Sequence, residues 1–235
     1  MSSSTVLFSL TMGFLLGFIH FIGEGLKIPS GSRHYQIISF ASGISIGYLF
    51  LDLLPHTYDA AEHLKGGVFF FLLMGFALVH LVEKYFYQHA EASKLRKEFK
   101  TVHSVTFFIY YFLAGFVVVE LVQKSVLEGI LFVFPVTLHA GLSSASLSEI
   151  HGRFKPTLWE RILLSLATPA GVLLAFAFPL PLVLQNITIS GIAGVLLYVF
   201  VKEFLPEKEK GQPMFFILGL IMFFVLNQVA RLLID

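Results

Sequence analysis

The sequence predicts an all-α integral membrane protein with eight transmembrane helices, and three observations support this fold class. Hydrophobic residues make up 56% of the 235 residues and charged residues only 13%, whereas soluble domains average about 45 to 50% and 25%. The apolar residues fall into eight runs, each long enough to cross a bilayer as a helix. The Lys and Arg residues concentrate in alternate connections between these runs. Together these features predict a multi-pass membrane protein.

The eight predicted spans are apolar throughout, without the alternation of barrel strands, and this favours helices. Numbered in chain order, they cover residues 6–22, 37–54, 68–86, 105–122, 126–147, 158–178, 182–201 and 214–233. No Pro-rich or Ser-rich linker divides them, so residues 1–235 are predicted to form one membrane domain. The longest polar stretch, residues 88–103, is predicted to be a basic cytoplasmic loop. Span 1 has no basic residue before it and no clear cleavage site, so we expect a retained helix.

The basic residues predict the orientation of the spans. Of the 16 Lys and Arg residues, only Lys65, Lys124 and Arg231 lie beside the connections after even-numbered spans or at the C-terminus. The others lie in or beside the connections after spans 1, 3, 5 and 7, which the positive-inside rule assigns to the cytoplasm. With an even number of spans, both termini are predicted to lie outside the cytoplasm.

Composition and motifs argue against several classes of function. The chain has no cysteine, so disulfides and thiolate metal sites are excluded. A formal net charge of +1 gives no basis for a nucleic-acid partner, and the predicted partner is the lipid bilayer. No paired carboxylates occur in the middle of the spans, and there is no nucleophile elbow or Gly-rich phosphate loop. We therefore predict no enzymatic activity.

Spans 2 and 7 end in the same pattern, an acidic residue followed two positions later by Leu-Pro. The acids are Asp52 and Glu203, and the prolines are Pro55 and Pro206. Because span 2 runs outward and span 7 inward, the matched patterns predict an inverted repeat that relates spans 1–3 to spans 6–8, a 3+2+3 arrangement. An acid within a membrane is costly and usually faces a water-filled path or a partner. The alternative is that Leu-Pro simply ends each helix.

With these patterns the chain resembles the ZIP (Zrt/Irt-like protein) family of divalent metal transporters over nearly its whole length. The matching stretches are residues 47–56 and 194–207, although the family usually has His where this chain has Asp52. The resemblance implies eight helices in a 3+2+3 arrangement, outside termini and a homodimer. It also implies a divalent metal as the transported substrate.

The resemblance breaks down at the ligands of the metal site. In the family, the fourth helix is similar to His-Asn-x-x-Asp-Gly and the fifth to His-Glu-x-x-His-Glu. Aligned on Gly115, this chain offers Tyr110 and Tyr111 with apolar neighbours in span 4, and only His139 matches a ligand in span 5. One imidazole cannot replace the water shell of a divalent ion. The chain therefore resembles a divergent member of the family with a degenerate metal site.

Five polar residues are candidates for a transport pathway: His139, Asp52, His56, Glu120 and Glu203. His139 follows Pro135, which frees a backbone carbonyl in span 5; it is either a ligand at a remodelled site or a neutral core histidine. Asp52 and His56 share a helix face, and form either a weak metal pair or a hydrogen-bonded helix end. Glu120 either pairs with Lys124 or faces the outer side.

Three functions fit these features. The first is a ZIP-like transporter that moves divalent metal cations through an atypical site near His139. The second is a non-transporting ZIP-like protein with a structural or regulatory role, whose metal site is lost. The third is a carrier of a non-metal solute through an aromatic-lined pathway, suggested only by the tyrosines and phenylalanines of span 4.

Overall fold

The computed structural model describes residues 3–23, 32–64, 66–89, 95–150, 157–204 and 211–234, and helices make up nearly all of them. The elements are α1 (Ser3–Gly23), α2 (Ser32–Tyr48), a π-helical turn (Leu49–Leu53), α3 (Leu54–Leu64), α4 (Gly67–His89), α5 (Leu95–Lys124), α6 (Val126–Ile150), α7 (Leu158–Ala177), α8 (Leu182–Phe204) and α9 (Pro213–Ile234). The predicted all-α class is confirmed for these residues.

Seven helical segments among the described residues are long and apolar enough to cross a membrane, and α6 contains a shorter apolar stretch, Val126–Gly141. Span 1 corresponds to α1, and span 2 to α2 with the π turn. Spans 3 to 8 correspond to α4 to α9 in order. Large apolar side chains such as Phe14, Leu73 and Leu232 remain exposed, as the lipid-facing surface of a membrane bundle requires.

The helix of span 2 does not end at Pro55, although the sequence pattern predicts an end there. The chain widens into a π turn over Leu49–Leu53, and the amide of Leu54 donates to the carbonyl of Leu49. Proline lacks an amide hydrogen and its ring crowds the preceding turn of an α-helix. The wider turn lets the helix pass Pro55 and continue as α3. π turns of this kind often occur at functional sites.

The predicted loop 88–103 is shorter in the structure. Helix α4 extends to His89, and α5 already begins at Leu95, well before the predicted start at residue 105. Residues 90–94 lie outside the described residues. A polar helical extension is favourable once a helix leaves the bilayer, because Leu, Arg, Lys and Glu are good helix formers.

Several pairs of helices pack with their backbones in close contact, and two of them are α2 with α9 and α4 with α8. A Cβ atom at Gly43 would lie 2.1 Å from the carbonyl oxygen of Phe216, and one at Gly219 would lie 2.1 Å from that of Phe40. In the other pair, a Cβ at Gly194 would lie 1.9 Å from the oxygen of Leu72. Small residues at such crossings are typical of helix packing in membranes.

The remaining helices complete the bundle around a buried core. Helix α5 packs on α7, and α1 packs on both α6 and α7. Glycines again mark both crossings with α7, because a Cβ at Gly171 would lie 2.0 Å from the oxygen of Phe112 and one at Gly17 would lie 2.1 Å from the oxygen of Ser165. Tyr48, Phe132 and Phe223 are fully buried, and the ring of Tyr48 contacts each phenylalanine edge to face. Tyr48 lies four residues before Asp52, and Phe132 lies four residues after Glu128.

Candidate functional site

Four charged or titratable side chains meet at one end of the bundle and are called the Arg231 cluster: Asp52, His56, Glu128 and Arg231. Asp52 lies in the π turn and His56 lies one turn later in α3. Glu128 belongs to the first turn of α6, and Arg231 to the last turn of α9. The cluster therefore joins three separate helices at one end of the bundle.

Arg231 bridges the two carboxylates. Its Nη2 donates to Asp52 Oδ1 and its Nη1 to Glu128 Oε1, both at 2.6 Å. Asn227, one turn earlier in α9, donates its side-chain amide to Asp52 Oδ1 at 3.3 Å. The side chains of Asp52 and Glu128 are only 1% and 6% exposed, whereas that of Arg231 is 35% exposed. Charge-assisted bonds of this kind are among the stronger hydrogen bonds in proteins.

The imidazole of His56 is held in one orientation. Its Nδ1 lies 2.8 Å from the backbone carbonyl oxygen of Asp52. A carbonyl only accepts, so Nδ1 carries the hydrogen and, in the neutral ring, Nε2 carries the lone pair. Nε2 lies 3.5 Å from Glu128 Oε2. Two atoms with lone pairs thus face each other unless a proton or another cation is present.

The net charge of the cluster is unbalanced when His56 is neutral. Two carboxylates and one guanidinium leave a single negative charge in a largely buried place. Asp52 Oδ2 and Glu128 Oε2 are both buried without a hydrogen-bond partner. One donor atom from each of Asp52, His56 and Glu128 can be chosen so that all three lie within 4.8 Å of one another. These are oxygen and nitrogen donors of the types that bind divalent metal ions.

A second polar group, the Lys202 cluster, joins α4 to α8 and consists of Glu83, Tyr198 and Lys202. The Tyr198 hydroxyl donates to Glu83 Oε2 at 2.7 Å, and Lys202 forms an ion pair with Glu83 Oε1. The ring of His80 contacts Tyr198 edge to face. Glu83 and Lys202 lie near the C-terminal ends of their helices.

His139 lies inside the bundle among aromatic rings. It is completely buried, stacks on Phe107 with ring centroids 6.4 Å apart, and contacts the edge of Phe200 at 5.9 Å. Tyr110 and Tyr111 of α5 also belong to the hydrophobic core. The aromatic residues predicted to replace the metal ligands of span 4 are therefore packed against the core.

Among the described side chains, Glu120 and His139 are not part of the Arg231 cluster. Glu120 is 8% exposed near the end of α5, one turn before the exposed Lys124. Glu203 lies in the last turn of α8, but its side chain is outside the described residues. Of the four predicted residues whose side chains the structure describes, only Asp52 and His56 are brought together.

Sequence reasoning missed Glu128 and Arg231 as partners of Asp52. Their shared signal is position, since each is a charged residue in the first or last turn of an apolar span at the same predicted membrane face. No protein-family model matches the chain, and no curated protein matches it significantly.

Proposed function

We propose that this chain is a ZIP-like membrane transporter with eight spans in a 3+2+3 inverted repeat and both termini outside the cytoplasm. In this proposal, α1, α2 and α4 form one repeat and α7, α8 and α9 form the other. Helices α5 and α6 lie between them. The cargo is a small cation, with divalent metal ions as the first class to test.

The observation that carries the proposal is a register shared by two helix pairs, which begins at their glycine contacts and extends to their polar residues. In α2 and α9, the backbone carbonyls of Phe40 and Phe216 face the opposing glycines, Gly219 and Gly43. In α8 and α4, the carbonyls of Gly191 and Leu72 face Gly75 and Gly194 in the same way. The spacing from carbonyl residue to glycine is equal in all four helices. The α5–α7 crossing has the same spacing, with the carbonyls of Phe112 and Thr168 facing Gly171 and Gly115. The glycines alone therefore do not distinguish a repeat, and the support comes from the polar residues that share their register.

The acid-x-Leu-Pro patterns continue this match. Asp52 follows Gly43 at the same spacing as Glu203 follows Gly194, and the same register pairs Pro55 with Pro206. Between α4 and α9, the register that pairs Gly75 with Gly219 also pairs Glu83 with Asn227. Asn227 contacts Asp52, and Glu83 contacts Lys202, the neighbour of Glu203. The two polar clusters thus involve equivalent parts of the two repeats.

An inverted repeat supports alternating access, because equivalent ends of the two halves open to opposite sides of the membrane. By the distribution of basic residues, the Arg231 cluster lies at the outer end and the Lys202 cluster at the cytoplasmic end. Each cluster ties two repeat helices together by charged contacts. We assign the Arg231 cluster, which reaches α6 through Glu128, as the outer closure of a path that passes His139. The Lys202 cluster marks the inner end of the α4–α8 pair.

We expect His139→Ala to lower zinc or manganese uptake into proteoliposomes by at least about tenfold, because the residue is the only predicted ligand inside the path. His139→Phe keeps an aromatic ring in the core and is expected to lose the same activity. His34→Ala, at a half-buried histidine near the start of α2, serves as the control. Unchanged uptake in both His139 variants, with normal folding, would rule out this residue as part of the path.

Two observations favour a non-transporting ZIP-like protein as the second candidate. His139 packs against aromatic rings, and Arg231 already neutralises one of the two carboxylates in its cluster. Such a protein would have a structural or regulatory role. If this second hypothesis is right, the wild-type chain takes up no zinc, manganese or iron. The transporter hypothesis instead predicts saturable uptake of at least one of these ions.

A further inference from the structure

We propose that Asp52, His56 and Glu128 form a binding site for a first-row divalent cation, and that Arg231 is an internal cation displaced when the metal binds. The site lies away from His139 and uses residues of α3, α6 and the π turn. Its role as the outer binding site for the transported ion rests on the proposed transport function. As a metal site, it is tested by binding alone.

The orientation of His56 is the first argument for this site. A histidine that binds metal usually donates its other ring N–H to a backbone carbonyl or carboxylate, which fixes the tautomer and aims the free nitrogen. His56 does this through Nδ1 and the carbonyl of Asp52. Its Nε2 is consequently aimed at Glu128 Oε2, 3.5 Å away. A cation between these atoms would turn an unfavourable pair of acceptors into two ligand bonds.

The buried carboxylate oxygens are the second argument. Arg231 uses Oδ1 of Asp52 and Oε1 of Glu128. The second oxygen of each carboxylate is buried and has no hydrogen-bond donor. Leaving such an acceptor unsatisfied is costly, more so for a charged group. Both oxygens and His56 Nε2 offer lone pairs for a metal ion.

Charge and exposure explain the role of Arg231. With neutral His56 and Arg231 in place, the cluster carries one negative charge, and a divalent ion would change this to one positive charge. If the guanidinium leaves, the charge becomes zero. Arg231 is near the end of α9 and is 35% exposed, so its side chain can reach water without passing through the core. Metal and guanidinium are therefore expected to compete.

The donor set indicates which ions should bind. One imidazole with two carboxylates suits zinc, manganese, iron or cobalt, whereas magnesium prefers oxygen donors and retains its waters. Zn²⁺ and Mn²⁺ are the probes of choice, and Mg²⁺ is the comparison ion. We expect Zn²⁺ to bind more tightly than Mn²⁺, following the general order of divalent affinities.

The test is calorimetric titration of the purified full-length chain in detergent with Zn²⁺ and Mn²⁺. Binding of one ion is expected, weakened at least about tenfold by Asp52→Asn, Glu128→Gln or His56→Gln. Arg231→Gln is expected to tighten binding by about tenfold, since it removes the competing cation, within the usual range of coupling between sites. Asp59→Asn changes an exposed acid in α3 and is the matched control.

A second measurement guards against variants that fail to fold. Arg231→Gln should have a lower unfolding temperature without metal, and saturating Zn²⁺ should restore most of the loss, because a ligand that binds only the folded state stabilises it. Arg231→Lys should fold normally and still compete with the metal. Stoichiometric binding that Asp52→Asn and Glu128→Gln leave unchanged overturns the site, as does the absence of binding in both the wild type and folded Arg231→Gln.

The binding and uptake experiments distinguish a failure of the proposed metal site from a failure of the proposed transport function. Metal binding at the cluster without uptake would contradict the proposed transport function and leave the site standing. Conversely, uptake that continues unchanged in Asp52→Asn and Glu128→Gln, together with no metal binding, would contradict the site and leave the transport function standing.

Discussion

In the absence of metal, Arg231→Gln is expected to lower the free energy of unfolding by about 3 kcal/mol, the lower end of the range for breaking a buried ion pair. The guanidinium bridges two buried carboxylates at 2.6 Å each. Without it, both charges remain in a place where water cannot solvate them well. We choose the lower end because Arg231 is itself 35% exposed. Thermal or denaturant unfolding in detergent measures the effect.

The neutral triple variant Arg231→Gln, Asp52→Asn, Glu128→Gln provides the control. It removes the guanidinium and both carboxylate charges, so no unpaired charge stays buried, and it should recover most of the lost stability. Equal stability of wild type and Arg231→Gln would show that the ion pair does not hold the three helices together. If the single and triple variants lose equal free energy of unfolding, the loss comes from the packing of Arg231 and not from unpaired buried charge.

The second large effect is expected at two equivalent glycines, Gly43 and Gly194. In either position an added methyl group would fall about 2 Å from a backbone oxygen of the opposing helix, so the helices must separate. Overpacking of this kind costs about 1 to 3 kcal/mol and sometimes more, against a gain of up to about 1 kcal/mol for replacing glycine in a helix. We expect Gly43→Ala and Gly194→Ala to destabilise the protein by similar amounts.

Gly191→Ala is the matched control for this pair. Gly191 lies one turn before Gly194 in α8, and a Cβ there would meet no atom within 4 Å. The variant should be neutral or slightly more stable, because alanine is the better helix former. Unfolding of the three variants in detergent compares them directly. A large loss at Gly194 with none at Gly43 would contradict the equivalence of the two helix pairs.

The sequence predicts the helices well because a long apolar run has few alternatives in a bilayer. Each predicted span corresponds to one helical stretch of the described residues, and the main differences are at the ends. The continuation past Pro55 was not predicted, since the pattern of a proline after an apolar run is the same whether the helix stops or widens into a π turn. Only the backbone geometry distinguishes the two.

The candidate site was predicted only in part. Asp52 and His56 are near each other in sequence, so helical spacing is enough to pair them. Glu128 and Arg231 reach the same place through α6 and α9, and no local pattern in the sequence records that these helices meet there. The sequence also could not predict the surroundings of His139, because a lone histidine in an apolar span has the same sequence pattern whether it faces a path or aromatic rings.

The close contact between α2 and α9 has a consequence for how the outer end could open. Backbones that touch at glycines resist sliding and separation, so α2 and α9 should move together as one rigid body. Asp52, in the π turn that continues α2, and Arg231, in α9, would move with this rigid body, whereas Glu128 belongs to α6. Opening would then break the bond between Arg231 and Glu128 first and keep the bond between Arg231 and Asp52. Arg231 would thus stay bound to Asp52 in both states and would bind Glu128 only when the outer end is closed.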